Sequence, residues 1–199
     1  MIESKAKLGP ADRGRRMTLE EFAHAEGAPG YQYELRRGEV LVVEVPGLPH
    51  ALLVQAVRET LQAHKMSHPN SVFLIAGGSE CALRLPGMQS ERHPDIAVYL
   101  TTPPDAENPW EVWCPDIVVE VVSAGADARD RDYVEKRDEY LRAGVREYWI
   151  LDRSTKSFLV LRRRGDSWQE IVCAANAPYR TGLLPGYRLE AVGLFGQGE

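Results

Sequence analysis

PDIVVEVVS, residues Pro115–Ser123, places a carboxylate in the middle of an apolar, β-branched run. A run of Ile and Val with no polar face reads as a strand covered on both sides, as in the interior of a sheet. Side chains alternate along a strand, so Asp116, Val118, Glu120 and Val122 share one face. A carboxylate there is costly to bury without a partner. The segment His93–Leu100, HPDIAVYL, repeats the Pro-Asp-Ile opening, and Pro94–Leu100 reads as a second interior strand. If the two strands are neighbours, Asp95 near the start of one meets Glu120 in the middle of the other. Two converging carboxylates repel unless a cation lies between them, and hard oxygen ligands of this kind suit Mg2+ or Mn2+. The plainer alternatives are a carboxylate paired with Arg or Lys, or a strand-end acid in water.

Around these strands the chain has the pattern of an α/β domain with one mixed central β-sheet flanked by helices. Residues 1–16 are polar and without periodicity, which predicts a flexible tail ahead of a single domain over 17–199. Thr18 and Glu21 form a capping-box pattern for a short helix to about Glu26. Tyr31–Val45 reads as a hairpin turning at Arg36-Arg37-Gly38-Glu39, and Pro46–Pro49 breaks it. Val54, Val57 and Leu61 give helical spacing from His50 to about Lys65. Ser71–Ile75 and Cys81–Leu85 read as strands joined through Gly77-Gly78. Tyr133–Ala143 reads as a helix closed by Gly144, with Tyr133, Val134, Tyr140 and Leu141 inward. Glu147–Asp152, Ser157–Leu161 and Trp168–Val172 read as three further strands.

The 199 residues carry a net charge of −5, which argues against dense, non-specific coating of nucleic acid. The clusters Arg36-Arg37 and Arg162-Arg163-Arg164 read first as solvated turn charges. Cys81, Cys114 and Cys173 are far apart and odd in number, so neither a disulfide framework nor a cysteine metal site is indicated. No apolar run approaches the roughly 20 residues of a membrane span, and the first residues lack the apolar centre of a signal peptide. The expectation is a cytoplasmic location and no membrane partner.

Phosphodiester hydrolysis with a metal needs one more part, a cation that stabilises charge on the phosphate or orients the attacking water. Lys136 is the candidate, at the edge of the inward stripe of its helix; a snorkelling surface lysine is the alternative. A Pro-Asp, an acid in an apolar strand and a following lysine together resemble the PD-(D/E)XK nuclease superfamily. The chain resembles more closely the Uma-type restriction endonucleases, also known as a domain of unknown function. The likeness runs from about Met17 to Leu189. It is carried by YELRRGE at Tyr33–Glu39, Pro49-His50, HPDIAV at His93–Val98, PDIVVEVVS at Pro115–Ser123, and Lys136 followed by YLRAGVREYW at Tyr140–Trp149.

The resemblance implies a restriction-endonuclease-like fold and a Mg2+-dependent (or Mn2+-dependent) endonuclease acting on DNA. Asp95 and Glu120 match the family's metal-binding acids. The superfamily's lysine usually lies two residues beyond the second acid, where this chain has Val122; Lys136 on the next helix matches the relocated lysine of the family. Glu34 matches an acid of the first hairpin that serves similar nucleases as a further metal ligand or water-binding group, though pairing with Arg36 or Arg37 is the alternative. His50 matches a recurrent position that serves either as a phosphate contact or as a helix-start histidine. Asp116 fits a supporting or solvent role better than ligation. Such nucleases often act as homodimers, because cutting a duplex calls for two sites. The alternative to an enzyme is the same fold kept as a catalytically silent binding or regulatory module.

Overall fold

The computed structural model describes residues 5–44, 47–123, 125–174 and 176–195. Val45 and Pro46, at the end of the expected hairpin, and the last four residues of the expected domain lie outside them. The expected tail is not free over its described part. Strand β1 (Lys7–Leu8) pairs in parallel with β2 (Glu26–Gly27), and Leu8 is buried against the first hairpin. Between them α1 (Leu19–Ala23) starts on the expected capping box: Thr18 Oγ1 accepts from Glu21 N–H, and Glu21 Oε2 accepts from Thr18 N–H. It ends at Ala23 rather than Glu26, because Glu26 and Gly27 are drawn into pairing with β1.

Strands β3 (Tyr31–Arg36) and β4 (Glu39–Glu44) form the hairpin, turning through Arg37 and Gly38, both at positive φ as a tight two-residue turn requires. Helix α2 (Leu48–Ser67) follows, somewhat longer than its apolar spacing implies. Then come β5 (Leu74–Ala76), β6 (Leu83–Leu85), β7 (Ser90–Arg92), β8 (Ile96–Tyr99) and β9 (Ile117–Val122). Strand β7 is absent from the sequence reading. Its residues, Ser90, Glu91 and Arg92, are polar yet all buried.

The helix expected over Tyr133–Ala143 begins earlier, at Ala126, and runs in three pieces: α3 (Ala126–Asp130), one wide π turn (Arg131–Glu135) and α4 (Lys136–Ala143), capped by Gly144 at φ 104°. Strands β10 (Glu147–Asp152), β11 (Ser157–Arg164) and β12 (Ser167–Cys173) follow, then the short α5 (Ala191–Leu194). Of the two basic clusters, Arg36 and Arg37 reach across to Glu135 and Asp138 and so tie the hairpin to this helix. Arg162 is bonded to Glu147 and Tyr179, and Arg163 to the Leu141 carbonyl.

The central sheet has six strands in the order β12-β11-β10-β9-β8-β5, parallel only between β9 and β10. Helix α2 covers one face, where Leu53, Val57 and Leu61 meet Ile117, Val119 and Val121. Fully burying each of these side chains contributes about 1.5–3 kcal/mol. Helix α4 covers the other, where Tyr140 meets Val118, Val122, Tyr148 and Ile150. A second sheet, β4-β3-β7-β6, carries the hairpin alongside. The mixed α/β architecture with helices on both faces of the sheet matches the expectation.

Candidate active site

Strands β8 and β9 are antiparallel neighbours with Ile96 opposite Val119, so continuing the register brings Asp95 opposite Glu120. The Asp95 carboxylate binds the neighbouring strand's backbone: Val121 N–H donates to Oδ2 over 2.7 Å. Its Oδ1 lies 3.0 Å from His50 Nε2, in the first turns of α2. Asp95 is further positioned by Gly77, where any Cβ would collide with the Asp95 carbonyl oxygen.

Glu120 faces α4, and among the described residues both its partners fall on Oε1: Tyr140 O–H donates over 2.6 Å, and Lys136 Nζ lies 2.8 Å away. Lys136 Nζ is also 3.3 Å from Asp132 Oδ1. Only 3% of Lys136 is exposed, so it is not a surface lysine. A π turn lies within this grouping. Lys136 N–H bonds to the carbonyl of Arg131 five residues back, and Asp132, Lys136 and Tyr140, spaced by four, stay together across the wide turn. The expected inward position of Val134 is overturned: it is 63% exposed.

Glu34, on β3, is buried and paired with neither Arg36 nor Arg37. Arg92 of β7 reaches its Oε2 at 3.0 Å, and His93 N–H donates to its Oε1 at 3.3 Å. Arg92 also grips Glu139 of α4 through Nε and a terminal nitrogen, at 2.6 and 3.2 Å. This explains why a polar strand is buried, since each of its charges is matched by a side chain from another segment. Asp116, as expected, does not join the site; it accepts from Leu100 N–H and Arg146 at the entrance of β9.

Burial pushes the Glu120 carboxyl up; Lys136 opposes this, while Asp95 and Asp132 add to it, and it ends near about 7. Burial alone would also raise Glu34, but Lys136, Arg92 and Arg131 outweigh it and hold that group down to about 2. For Lys136, burial disfavours the charged form, yet Glu120, Asp132 and Glu34 together raise its pKa. It stays protonated at neutral pH. The site thus holds two carboxyls of opposite tendency around one buried ammonium.

Among the described residues no three His, Cys, Asp or Glu side chains are grouped as a closed metal cage. The donor set nevertheless fits a hydrated Mg2+ or Mn2+, which needs only one or two carboxylates and takes its other ligands from water and phosphate. Two features leave room for a cation: Asp95 and Asp132 both oppose the ionisation of Glu120, and Glu120 Oε2 takes no hydrogen bond or ion pair among the described residues.

The structure brings together Glu120 and Lys136, and sets Asp95 with His50 beside them. Glu34 joins through Arg92 and the shared field rather than by direct contact. Asp132 and Tyr140 are participants that the sequence reading did not assign. Their spacing of four residues on either side of Lys136 was the available signal, since such residues share a helix face.

A solved structure described as a putative nuclease belonging to DUF820, from Anabaena variabilis, is similar in fold, with a TM-score of 0.70 and 16% sequence identity. The match covers 90% of this chain and 97% of that one. No curated protein matches the chain. No described helix is long and apolar enough to cross a membrane. The family model Uma2, described as "Putative restriction endonuclease", matches residues 19–191 and so spans the hairpin, both interior strands and the lysine-bearing helix. The chain belongs to the Uma2 family.

Proposed function

We propose that this protein is a metal-dependent endonuclease that hydrolyses DNA phosphodiester bonds. The observation that carries the reading is the buried Lys136 ammonium, 2.8 Å from Glu120, on a strand whose neighbour presents Asp95. A structural lysine has little reason to be sealed at that point of a sheet interior, given the penalty for burying charge.

Asp95 and Glu120 would hold the divalent ion. When bound, that ion supplies charge stabilisation to the phosphate under attack. Lys136 keeps its proton and directs positive charge toward the oxygen that gains charge, or hydrogen-bonds the attacking water. Tyr140 and Asp132 hold Glu120 and Lys136 in their rotamers. His50 fixes the Asp95 carboxylate through Oδ1. Glu34, ionised well below neutral pH, contributes negative field and orients Arg92. A homodimer would place two such sites on the two strands of a duplex.

The test is nicking of supercoiled plasmid with Mg2+ or Mn2+, with and without chelator, by wild type, Glu120→Ala and Lys136→Ala. Cutting that the chelator abolishes and both variants lose supports the reading; unchanged cutting by both variants ends the site assignment. Parallel reactions on duplex DNA, single-stranded DNA and RNA separate the substrate classes.

One observation favours a second reading, a catalytically silent module. Glu120 is already met by Lys136 and Tyr140, and Asp95 by His50 and a backbone amide, as in a self-sufficient polar core. Calorimetric titration with Mg2+ and Mn2+ decides between the two: absence of binding favours the silent module.

A further inference from the structure

A cavity of about 350 Å3 opens beside the Asp95–His50 pair, lined by Gly47, Pro49, His50, Val122, Ser123, Arg153 and Ser154. It sits where the start of α2 meets the ends of β9 and β10, two to three residues beyond Glu120 along its strand. Three features distinguish it. Among the described residues no acidic side chain lines it, although carboxylates crowd the neighbouring site. Arg153 stands in its wall, half-buried, and among the described residues its guanidinium has no hydrogen bond or ion pair. Most other arginines of the chain hold a carboxylate or a carbonyl, including the nearby Arg129, which is bonded to Asp152. The Ser123 hydroxyl is likewise without a hydrogen bond among the described residues.

An unpaired guanidinium in an acid-free concavity, with a free hydroxyl beside it, has the chemistry of an oxyanion receptor. Arg presents a fork of donors that matches two phosphate oxygens, and a serine adds a third donor. We propose that this cavity receives a phosphate group flanking the scissile one, held by Arg153 and Ser123. The assignment rests on the nuclease reading for the identity of the anion, but not for its existence. Position supports the backbone of a bound nucleic acid as the source. His50 forms part of the wall and is bonded to Asp95, so an anion here lies one step from the proposed chemistry.

The decisive measurement is equilibrium binding of a fluorescent DNA duplex over a salt series, without divalent ion, by wild type, Arg153→Gln and Ser123→Ala. Each phosphate contact contributes roughly −0.9 to the slope of log K against log salt. Arg153→Gln should lower the slope magnitude by about 0.9 and weaken binding equally on two unrelated sequences. Among the described residues the Arg153 side chain makes no hydrogen bond or ion pair, so Arg153→Gln should unfold close to the wild-type temperature. A second arm follows the backbone amide resonances of Ser123 and Arg153 during titration with inorganic phosphate.

A reduced slope supports the proposal even if the protein never cuts DNA, in which case the nuclease reading fails alone. If the wild type binds no duplex but both amides respond to phosphate, the cavity stands and free phosphate is its source. A slope unchanged by Arg153→Gln, or no binding of duplex together with silent amides, overturns it.

Discussion

Lys136→Met removes the one ammonium between Glu120 and Asp132 while keeping the length of the stem. In the wild type Nζ lies 2.8 Å from Glu120 and 3.3 Å from Asp132, and all three side chains are almost wholly buried. Breaking a buried pair by removing one partner strands the other charge and costs about 3–5 kcal/mol. Here the loss must depend on pH. Glu120 already sits near about 7 with Lys136 attracting its charged form, so without that attraction its pKa climbs further. The folded variant then binds a proton that the folded wild type has released, and that the unfolded chain has also released. Stability of the variant relative to wild type therefore falls as pH rises through this window. Each unit of additional shift is worth about 1.4 kcal/mol once the pH is above both values. Urea unfolding of both proteins at pH 5.5, 7 and 8.5 reads this directly. The expected deficit is smallest at pH 5.5 and largest at pH 8.5. A deficit below about 1 kcal/mol at pH 8.5, or one flat across the range, would refute the electrostatic account of the site.

Divalent-ion affinity should follow the same group with the opposite benefit of high pH, because only the ionised Glu120 can be a ligand. With its pKa near about 7, Mg2+ binding measured by calorimetry should weaken about tenfold for each unit of pH below that value; pH-independent affinity would remove Glu120 from the ligand set. Tyr140→Phe deletes the 2.6 Å hydrogen bond to Glu120 and should cost about 1.5–3 kcal/mol in urea unfolding, with full retention of stability arguing that the contact is idle. Arg92→Met leaves both Glu34 and Glu139 buried without their shared cation; a loss of about 3–5 kcal/mol is expected, and a soluble variant of wild-type stability would contradict the buried network. Gly77→Ala drives a methyl into the Asp95 carbonyl, so it should lower stability and plasmid nicking together, whereas Gly78→Ala, with open space around its Cβ position but positive φ, should affect stability alone.

How much of this was legible differs from element to element. The interior strands β8 and β9 were readable because β-branched runs and alternation are properties of adjacent residues, and the covered faces follow from them. The same holds for the capping box at Thr18, the turn at Gly38 and the glycine stop at Gly144. The register that sets Asp95 opposite Glu120 was suggested by the two matching Pro-Asp-Ile openings, and Lys136, a candidate from its place at the edge of the helix stripe, was strengthened by the resemblance. Strand β7 was missed because Ser90, Glu91 and Arg92 carry no local sign of burial. They are interior only because Glu34 lies 58 residues before Arg92, and Glu139 lies 47 residues after it, at bonding distance. Leu8 was read as part of a tail for a similar reason: its partner strand and its covering hairpin lie further along the chain. The π turn was invisible as well, and Val134, read as inward, is exposed while Asp132 is buried. By itself the sequence determined the interior strands, the hairpin and the main helices, since these depend on side-chain pattern over a few residues. The tertiary structure alone decided which charges neutralise one another and which guanidinium faces the cavity beside His50. Charge compensation in a low-dielectric interior depends on distances between segments remote in the chain, and those exist only once it has folded.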